Sequence, residues 1–289
     1  QIPEFLKKYK YIWLTSGLTL TALTIVFGSN PIGSGPRLWL GCCGVYLQPS
    51  EPLKLLLIVF LAAYFAARIP ISGRFFSLLT PTLFLNGMAL AILLVQRDLG
   101  TASIFVALYA IMIYLASTRR RVLILSLLLL GGLGLAGYFF VDIIQYRLTS
   151  WFNPWQDPSG RSYQIIQSLL AIANGGIFGR GLGMGSPTLV PVAHSDFIYA
   201  AIAEETGLVG SLILLLLIGF FVMRCFMIAL RAEGYFERLL SAGLGAYIGI
   251  QSIVIIGGNL RLLPLTGVTL PFVSYGGSSL LTSFLALLL

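Results

Sequence analysis

Charge is the scarcest property of this sequence. Only 10% of its 289 residues are Asp, Glu, Lys or Arg, against about 25% in a typical soluble domain. Ten residues are acidic and one is histidine. With 57% of the residues hydrophobic, so few charges could not cover the surface of a soluble fold. Soluble classes are therefore excluded, and the expected fold is an all-α, polytopic helical integral membrane protein. Cysteine is nearly absent as well. Cys42 and Cys43 are adjacent and Cys225 is remote in sequence, which argues against a structural disulfide and against a zinc ligand set. No internal repeat or low-complexity linker divides the chain, so residues 1–289 are expected to form one membrane domain. The chain opens at Gln1 and closes in an apolar run. It is therefore expected to be truncated at both ends, and no signal-peptide cleavage site follows Lys7, Lys8 and Lys10.

What the sequence does hold is long apolar runs. A spanning helix needs about 20 mostly apolar residues. Such runs fall at 11–28, 52–67, 78–95, 101–116, 122–141, 208–223, 239–257 and 278–289, giving about eight expected spans. With the N-terminus cytoplasmic and the spans alternating, the whole net charge of +8 falls on the cytoplasmic loops and the outer loops balance. This is the positive-inside pattern. The basic balance reports topology, and no nucleic-acid partner is expected. The outer loops are long, above all 142–194, and loops of that length carry function or are disordered. Within it, 163–174 has apolar residues at helical spacing and Gly175-Gly176 as a stop, which predicts an amphipathic helix near the membrane surface. Trp151, Phe152 and Trp155 suit an interfacial belt.

Five outer stretches carry the polar chemistry. Ser50 or Glu51 could cap a helix whose first turn tolerates Pro52. Glu51 and Lys54, three residues apart, share a helical face, and Lys54 lies a turn into the apolar region. Asp98, before Leu99-Gly100-Thr101, reads as a helix N-cap. The Gly179-to-Gly185 run neither follows a strand nor opens a βαβ unit, so it predicts a tight turn and no nucleotide site. The fourth stretch, His194-Ser195-Asp196 with Glu204-Glu205-Thr206-Gly207, places acids beside an apolar run, and charge there asks for a functional explanation. On one helix Glu204 would lie about 80° round from Asp196, with Glu205 opposite. A break near Thr206-Gly207 would keep all three acids at the outer boundary, and that is the expected arrangement. Desolvation at the membrane margin would suit Asp196 to general-base work. The fifth stretch, 263–279, with two prolines and three glycines, predicts a structured re-entrant loop. For Ser278 and Ser279, close helix packing competes with a site role.

Taken together and in order, these stretches resemble the SEDS family of shape, elongation, division and sporulation proteins. The resemblance rests on Gln48-Pro49-Ser50-Glu51 with Lys54, Asp98-Leu99-Gly100-Thr101, Tyr163-Gln164 leading into the glycine run, His194-Ser195-Asp196-Phe197-Ile198 with Glu204-Glu205-Thr206-Gly207, and Leu270 through Ser278. By motif position the first two family helices are expected to be missing. Two departures stand out: Arg97 replaces the family's proline, and Val192 replaces a glutamate.

The resemblance implies a peptidoglycan glycosyltransferase acting on lipid II outside the bacterial cytoplasmic membrane, with release of undecaprenyl diphosphate. It implies Asp196 as the catalytic base. Candidate substrate-binding residues are Glu51, Lys54, Arg37, Asp98, Arg147, Gln164, His194, Glu204, Arg261, Ser274 and Ser278. Of these, Arg37, Lys54, Arg147 and Arg261 are the candidates to meet the diphosphate, and Glu51 either orients Lys54 or helps bind a divalent cation. That cation, magnesium or manganese, is the one candidate cofactor. The implied partners are lipid II and the lipid-linked glycan, membrane lipids, and a class B penicillin-binding protein. A lipid II flippase is the competing reading. A transporter would place ionisable groups near the bilayer midplane and show related half-repeats, and neither is visible here. A non-catalytic scaffold would have no need of one-sided polar motifs.

Overall fold

The structure is a computed structural model. It describes residues 2–30, 36–42, 44–68, 75–121, 124–126, 128, 131–132, 135, 139, 142–160, 162–186 and 190–289. Two compact units are present. One comprises Gln1–Ser126, Val222–Ile248 and Gly277–Leu289, and the other Leu127–Phe221 and Gly249–Gly276.

The first unit is built on the helix Ser50–Ala66, which beyond Lys54 is apolar all round and accordingly buried along most of its surface. The helix Lys10–Phe27 packs along it. Gly17 makes that approach possible, because an added Cβ would stand 2.7 Å from the Leu56 side chain. The hydroxyls of Thr15, Ser16, Thr19, Thr21 and Thr24 donate to carbonyls three or four residues back, so these polar residues carry no unmet donor into an apolar span. The helices Phe75–Val95 and Leu99–Ser117 pack on each other, and Gly277–Leu288 packs against Ser50–Ala66. Between the first two long helices, Leu40–Cys42 and Val45–Leu47 form an antiparallel hairpin. The hairpin turns at Gly44, whose φ of +83° favours glycine.

In the second unit, two helices occupy the stretch expected to hold one. Tyr163–Gly175 is the predicted amphipathic helix, ended at Gly176 (φ +53°). Asp142–Phe152 is an additional helix that opens on an acidic residue, which favours a helix N-terminus. Phe197 and Ala200 pack with Ala171, Val190 and Ala193 into a small core under the 194–196 turn.

Four described helices are long and apolar enough to cross a membrane: Lys10–Phe27, Leu99–Ser117, Ile198–Arg231 and Tyr235–Asn259. The expected spans at 52–67, 78–95 and 278–289 also fall on helices, Ser50–Ala66, Phe75–Val95 and Gly277–Leu288. The expected span 122–141 lies largely outside the described residues. Gly207 interrupts Ile198–Arg231 with φ 67° and ψ −162°, where the sequence reading placed a break. That conformation is essentially restricted to glycine.

The break is held by the glycine run. Arg180 and Gly181 donate their N–H groups to the carbonyls of Glu204 and Glu205, both at 3.0 Å. Beyond the break, Leu208 and Val209 donate to Gly176 and Ile177, at 2.9 and 3.1 Å. Four backbone groups near the break therefore find partners in one strap, which an interrupted helix at a membrane margin requires. A Cβ on Gly179 would collide with the Glu205 carbonyl, and one on Gly207 with the Gly179 amide. Gly207→Ala is accordingly expected to destabilise the protein by about 3 kcal/mol or more, the upper end of the backbone strain alone. A thermal melt of the purified variant checks this.

Candidate active site

In the first unit, Glu51 and Lys54 form an ion pair in the first turn of Ser50–Ala66. Lys54 Nζ lies 2.8 Å from Glu51 Oε1, with side-chain exposures of 0% and 5%. The Lys54 ammonium also stands 5.3 Å from the centre of the Tyr247 ring, a cation–π contact. The helix has no side-chain cap, so the capping role considered for Ser50 or Glu51 is not the one these residues take. Glu51 reaches along its own face to Lys54 instead. Asp98 does cap its helix, with Oδ1 accepting the Thr101 N–H at 3.1 Å. Burial pushes the Asp98 carboxyl above the ordinary carboxylate range, against the lowering effect of the Thr101 bonds and of Lys54.

The buried atoms Glu51 Oε2, Asp98 Oδ2 and Tyr247 OH make no hydrogen bond among the described residues. Two such carboxylate oxygens beside an ammonium do not amount to a cation cage, which for calcium takes six to eight oxygens and for magnesium needs substrate or water besides. No group of three or more His, Cys, Asp or Glu that could hold a metal occurs among the described residues. Among the described residues, these side chains alone do not complete a divalent-cation site. Ser278 is at the start of Gly277–Leu288, and its Oγ accepts the Gln48 N–H at 2.8 Å. Packing of that helix is where its hydroxyl acts. Arg37 is exposed.

In the second unit, Asp196 lies two residues before the helix Ile198–Arg231. Its carboxylate is half-buried and accepts from the Ser195 hydroxyl at 3.2 Å. Burial raises its pKa above the ordinary carboxylate range, opposed by the Ser195 bond and by the charges of Arg147 and His194. Arg147 extends from Asp142–Phe152 and donates to the Thr266 carbonyl at 3.2 Å. His194 is exposed and meets Tyr275 edge-on at 5.5 Å. Ser274 is buried, and its hydroxyl donates to the Ser195 carbonyl at 2.7 Å while accepting the Leu270 N–H at 2.8 Å.

Three other sequence candidates take different places. Glu204 is buried and pairs with Arg180 at 3.3 Å, and it also accepts the Ser186 N–H. Its carboxylate thus serves the strap at the helix break. The Arg261 guanidinium donates to the carbonyls of Trp151 and Phe152, both at 2.8 Å, and Trp151 Nε1 returns a bond to the Arg261 carbonyl. Arg261 is thereby committed to tying two segments together. Gln164 is exposed on its helix. Sequence reasoning missed Asn259, which donates to the Asp196 carbonyl. The only sequence signal for it is a polar residue closing an apolar helix.

The two departures from the family pattern share a backbone feature. Arg97 and Val192 both have positive φ, at 59° and 57°. For a β-branched residue this is a strained conformation. Val192→Asn is expected to raise stability by about 1 kcal/mol, since asparagine enters the left-handed region with less strain. An upward shift of the thermal midpoint is the measurement.

Comparison with known proteins gives the family. The FtsW/RodA/SpoVE family model, described as a cell cycle protein, matches residues 1–289. Peptidoglycan glycosyltransferase RodA of Mycobacterium tuberculosis is 35% identical over 98% of this chain. The chain spans 63% of the length of that relative. A probable peptidoglycan glycosyltransferase FtsW of Geobacter metallireducens is 38% identical over 97% of this chain and 75% of its own length. A solved chain from a peptidoglycan synthase complex superposes with a TM-score of 0.81 at 29% identity, covering 98% of this chain and 80% of that one. Matched along its whole length by the family model, this chain is a multi-pass membrane protein belonging to the SEDS family.

Proposed function

We propose that this chain polymerises lipid II into glycan strands at the outer face of the cytoplasmic membrane. The Asp196 carboxylate carries this reading. It sits on a backbone fixed by hydrogen bonds, its pKa is raised by burial, and cationic Arg147 acts on it. A base with a pKa nearer the working pH transfers protons more effectively.

In the reaction, the sugar hydroxyl of the acceptor attacks the anomeric carbon of the donor. Asp196 takes the hydroxyl proton. The bond from the anomeric carbon to the diphosphate breaks, and undecaprenyl diphosphate leaves with the electron pair. A single displacement inverts the anomeric centre. Arginine and lysine suit the leaving diphosphate. Arg147 is the cation acting on Asp196, and Lys54 matches a family position.

The family match over residues 1–289 supports reading the chain as one membrane domain. We read about eight spans, counting Ser50–Ala66, Phe75–Val95, Gly277–Leu288 and the 122–141 segment with the four long helices, and a cytoplasmic N-terminus from the distribution of Lys and Arg. A class B penicillin-binding protein is the expected partner, in keeping with the similarity to a synthase-complex chain.

The experiment is polymerisation of labelled lipid II by the purified full-length protein, with and without that partner, beside a proteoliposome flipping assay. Glycan chains are expected. Flipping without polymer would overturn the reading.

A further inference from the structure

Asn259 closes the helix Tyr235–Asn259 and is completely buried, at 0% exposure. Its side-chain amide is a bridge. Nδ2 donates to the Asp196 carbonyl at 2.8 Å and to the Ile255 carbonyl at 2.9 Å, while Oδ1 accepts the Ala200 N–H at 3.3 Å. Its main-chain carbonyl accepts the Ser168 hydroxyl at 3.3 Å. One amide thus ties Asp196 to the first turn of the following helix, and ties both to the end of another helix.

The neighbouring carbonyls are held from the same stretch of chain. The Tyr275 N–H donates to His194 O at 2.8 Å, and the Ser274 hydroxyl to Ser195 O at 2.7 Å. Three successive carbonyls, those of residues 194, 195 and 196, therefore each accept a donor from residues 259–275. The backbone is fixed on one side, and the Asp196 side chain is left to project from it. An asparagine is suited to this place because it both donates and accepts. Alanine would leave the buried Ala200 N–H without its second acceptor and the Asp196 carbonyl without its donor.

We propose that Asn259 is a positioning residue for glycosyl transfer, setting the direction and depth of the Asp196 carboxylate by fixing its backbone, with Ser274 acting on the adjacent carbonyl. This rests on the reading of Asp196 as general base. A base must stand within about 3 Å of the oxygen whose proton it takes, and a misplacement of about 1 Å can cost about 100-fold in rate. The charged groups acting on Asp196 are Arg147, from the helix Asp142–Phe152, and His194, from its own turn. Neither is bonded to Asn259 by the contacts above, so removing the amide changes the carboxylate's placement and hydration while leaving both charges in the sequence.

The test compares wild type, Asn259→Ala and Asp196→Asn as full-length protein in detergent, each checked for monodispersity. In Asn259→Ala, hydrogen exchange at the backbone amides of residues 196–203 is expected to accelerate. Turnover of labelled lipid II should fall about 100-fold with KM little changed. The acid limb of the rate–pH profile should move to lower pH as the released carboxylate gains water. Unchanged exchange would overturn the proposal. So would accelerated exchange with normal turnover, or lowered turnover with an unmoved acid limb, since either result describes a purely structural amide. Should Asn259→Ala not fold, Ser274→Ala is read by the same three measurements. Wild-type turnover in Asp196→Asn would overturn the base reading and this proposal with it. A failure confined to Asn259→Ala leaves the base reading standing.

Discussion

Asp196→Asn is expected to lower glycan polymerisation by about 10²- to 10⁴-fold, the range that loss of a general base produces. Asparagine matches the shape of aspartate and can still accept the Ser195 hydroxyl bond, so the folded yield should be unaffected. The pH dependence follows from the same burial. The base works only when ionised, and burial holds its pKa above the ordinary carboxylate range. Wild-type activity should therefore fall, as pH drops, at a higher pH than an exposed aspartate with its pKa of about 4 would dictate. The linkage has the opposite sign for stability. A carboxyl whose folded pKa is raised binds its proton more tightly when folded, so this group's contribution is present at low pH and is lost as pH rises through the folded value. Above that value Asp196→Asn should be neutral or slightly stabilising. Lost activity without lost stability separates a chemical role from a structural one.

Lys54→Met is expected to have the largest effect on stability. Neither partner of the Glu51–Lys54 pair has more than 5% of its side chain exposed. Removing Lys54 takes the partner from a buried carboxylate, and breaking a buried pair in this way typically destabilises by about 3–5 kcal/mol. Glu51→Gln alone removes the carboxylate that Lys54 pairs with and should also destabilise, eased by the Tyr247 ring near Lys54. The double variant Glu51→Gln/Lys54→Met removes both charges and should recover most of the loss. Thermal melts of the three variants give the coupling directly. If Lys54→Met melts like wild type, the pair is hydrated and the burial argument fails. Recovery of stability in the double variant without recovery of polymerisation would show that the pair also serves the reaction.

Much of the helical framework was legible in the sequence because apolar runs of spanning length have one stable solution in lipid. The Asp98 cap and the break at Gly207 were legible too, since capping and left-handed backbone are local properties tied to particular residues. What could not be read depends on distant pairing. The hydroxyl of Ser274 and the guanidinium of Arg261 look like substrate ligands in sequence, yet each meets backbone carbonyls from remote segments. Glu204 looks like a companion to Asp196 by helical geometry, but Arg180 and Ser186 from the glycine strap occupy its carboxylate. Asn259 lies 63 positions from the carbonyl it holds, and no local pattern marks such a bond. The short hairpin at 40–47 was missed for a similar reason. Two strands of three residues each are below the length at which alternation can be read.

The proposed chemistry is sugar transfer from lipid II with Asp196 as base. Its most direct test is glycan chain formation from labelled lipid II by wild type and Asp196→Asn, purified full length, equally folded and each supplied with the class B partner. Extended glycan chains from wild type, and from the variant no more than about 1% of that rate, is the predicted result. Equal polymer from both proteins, or none from the wild type, would contradict it.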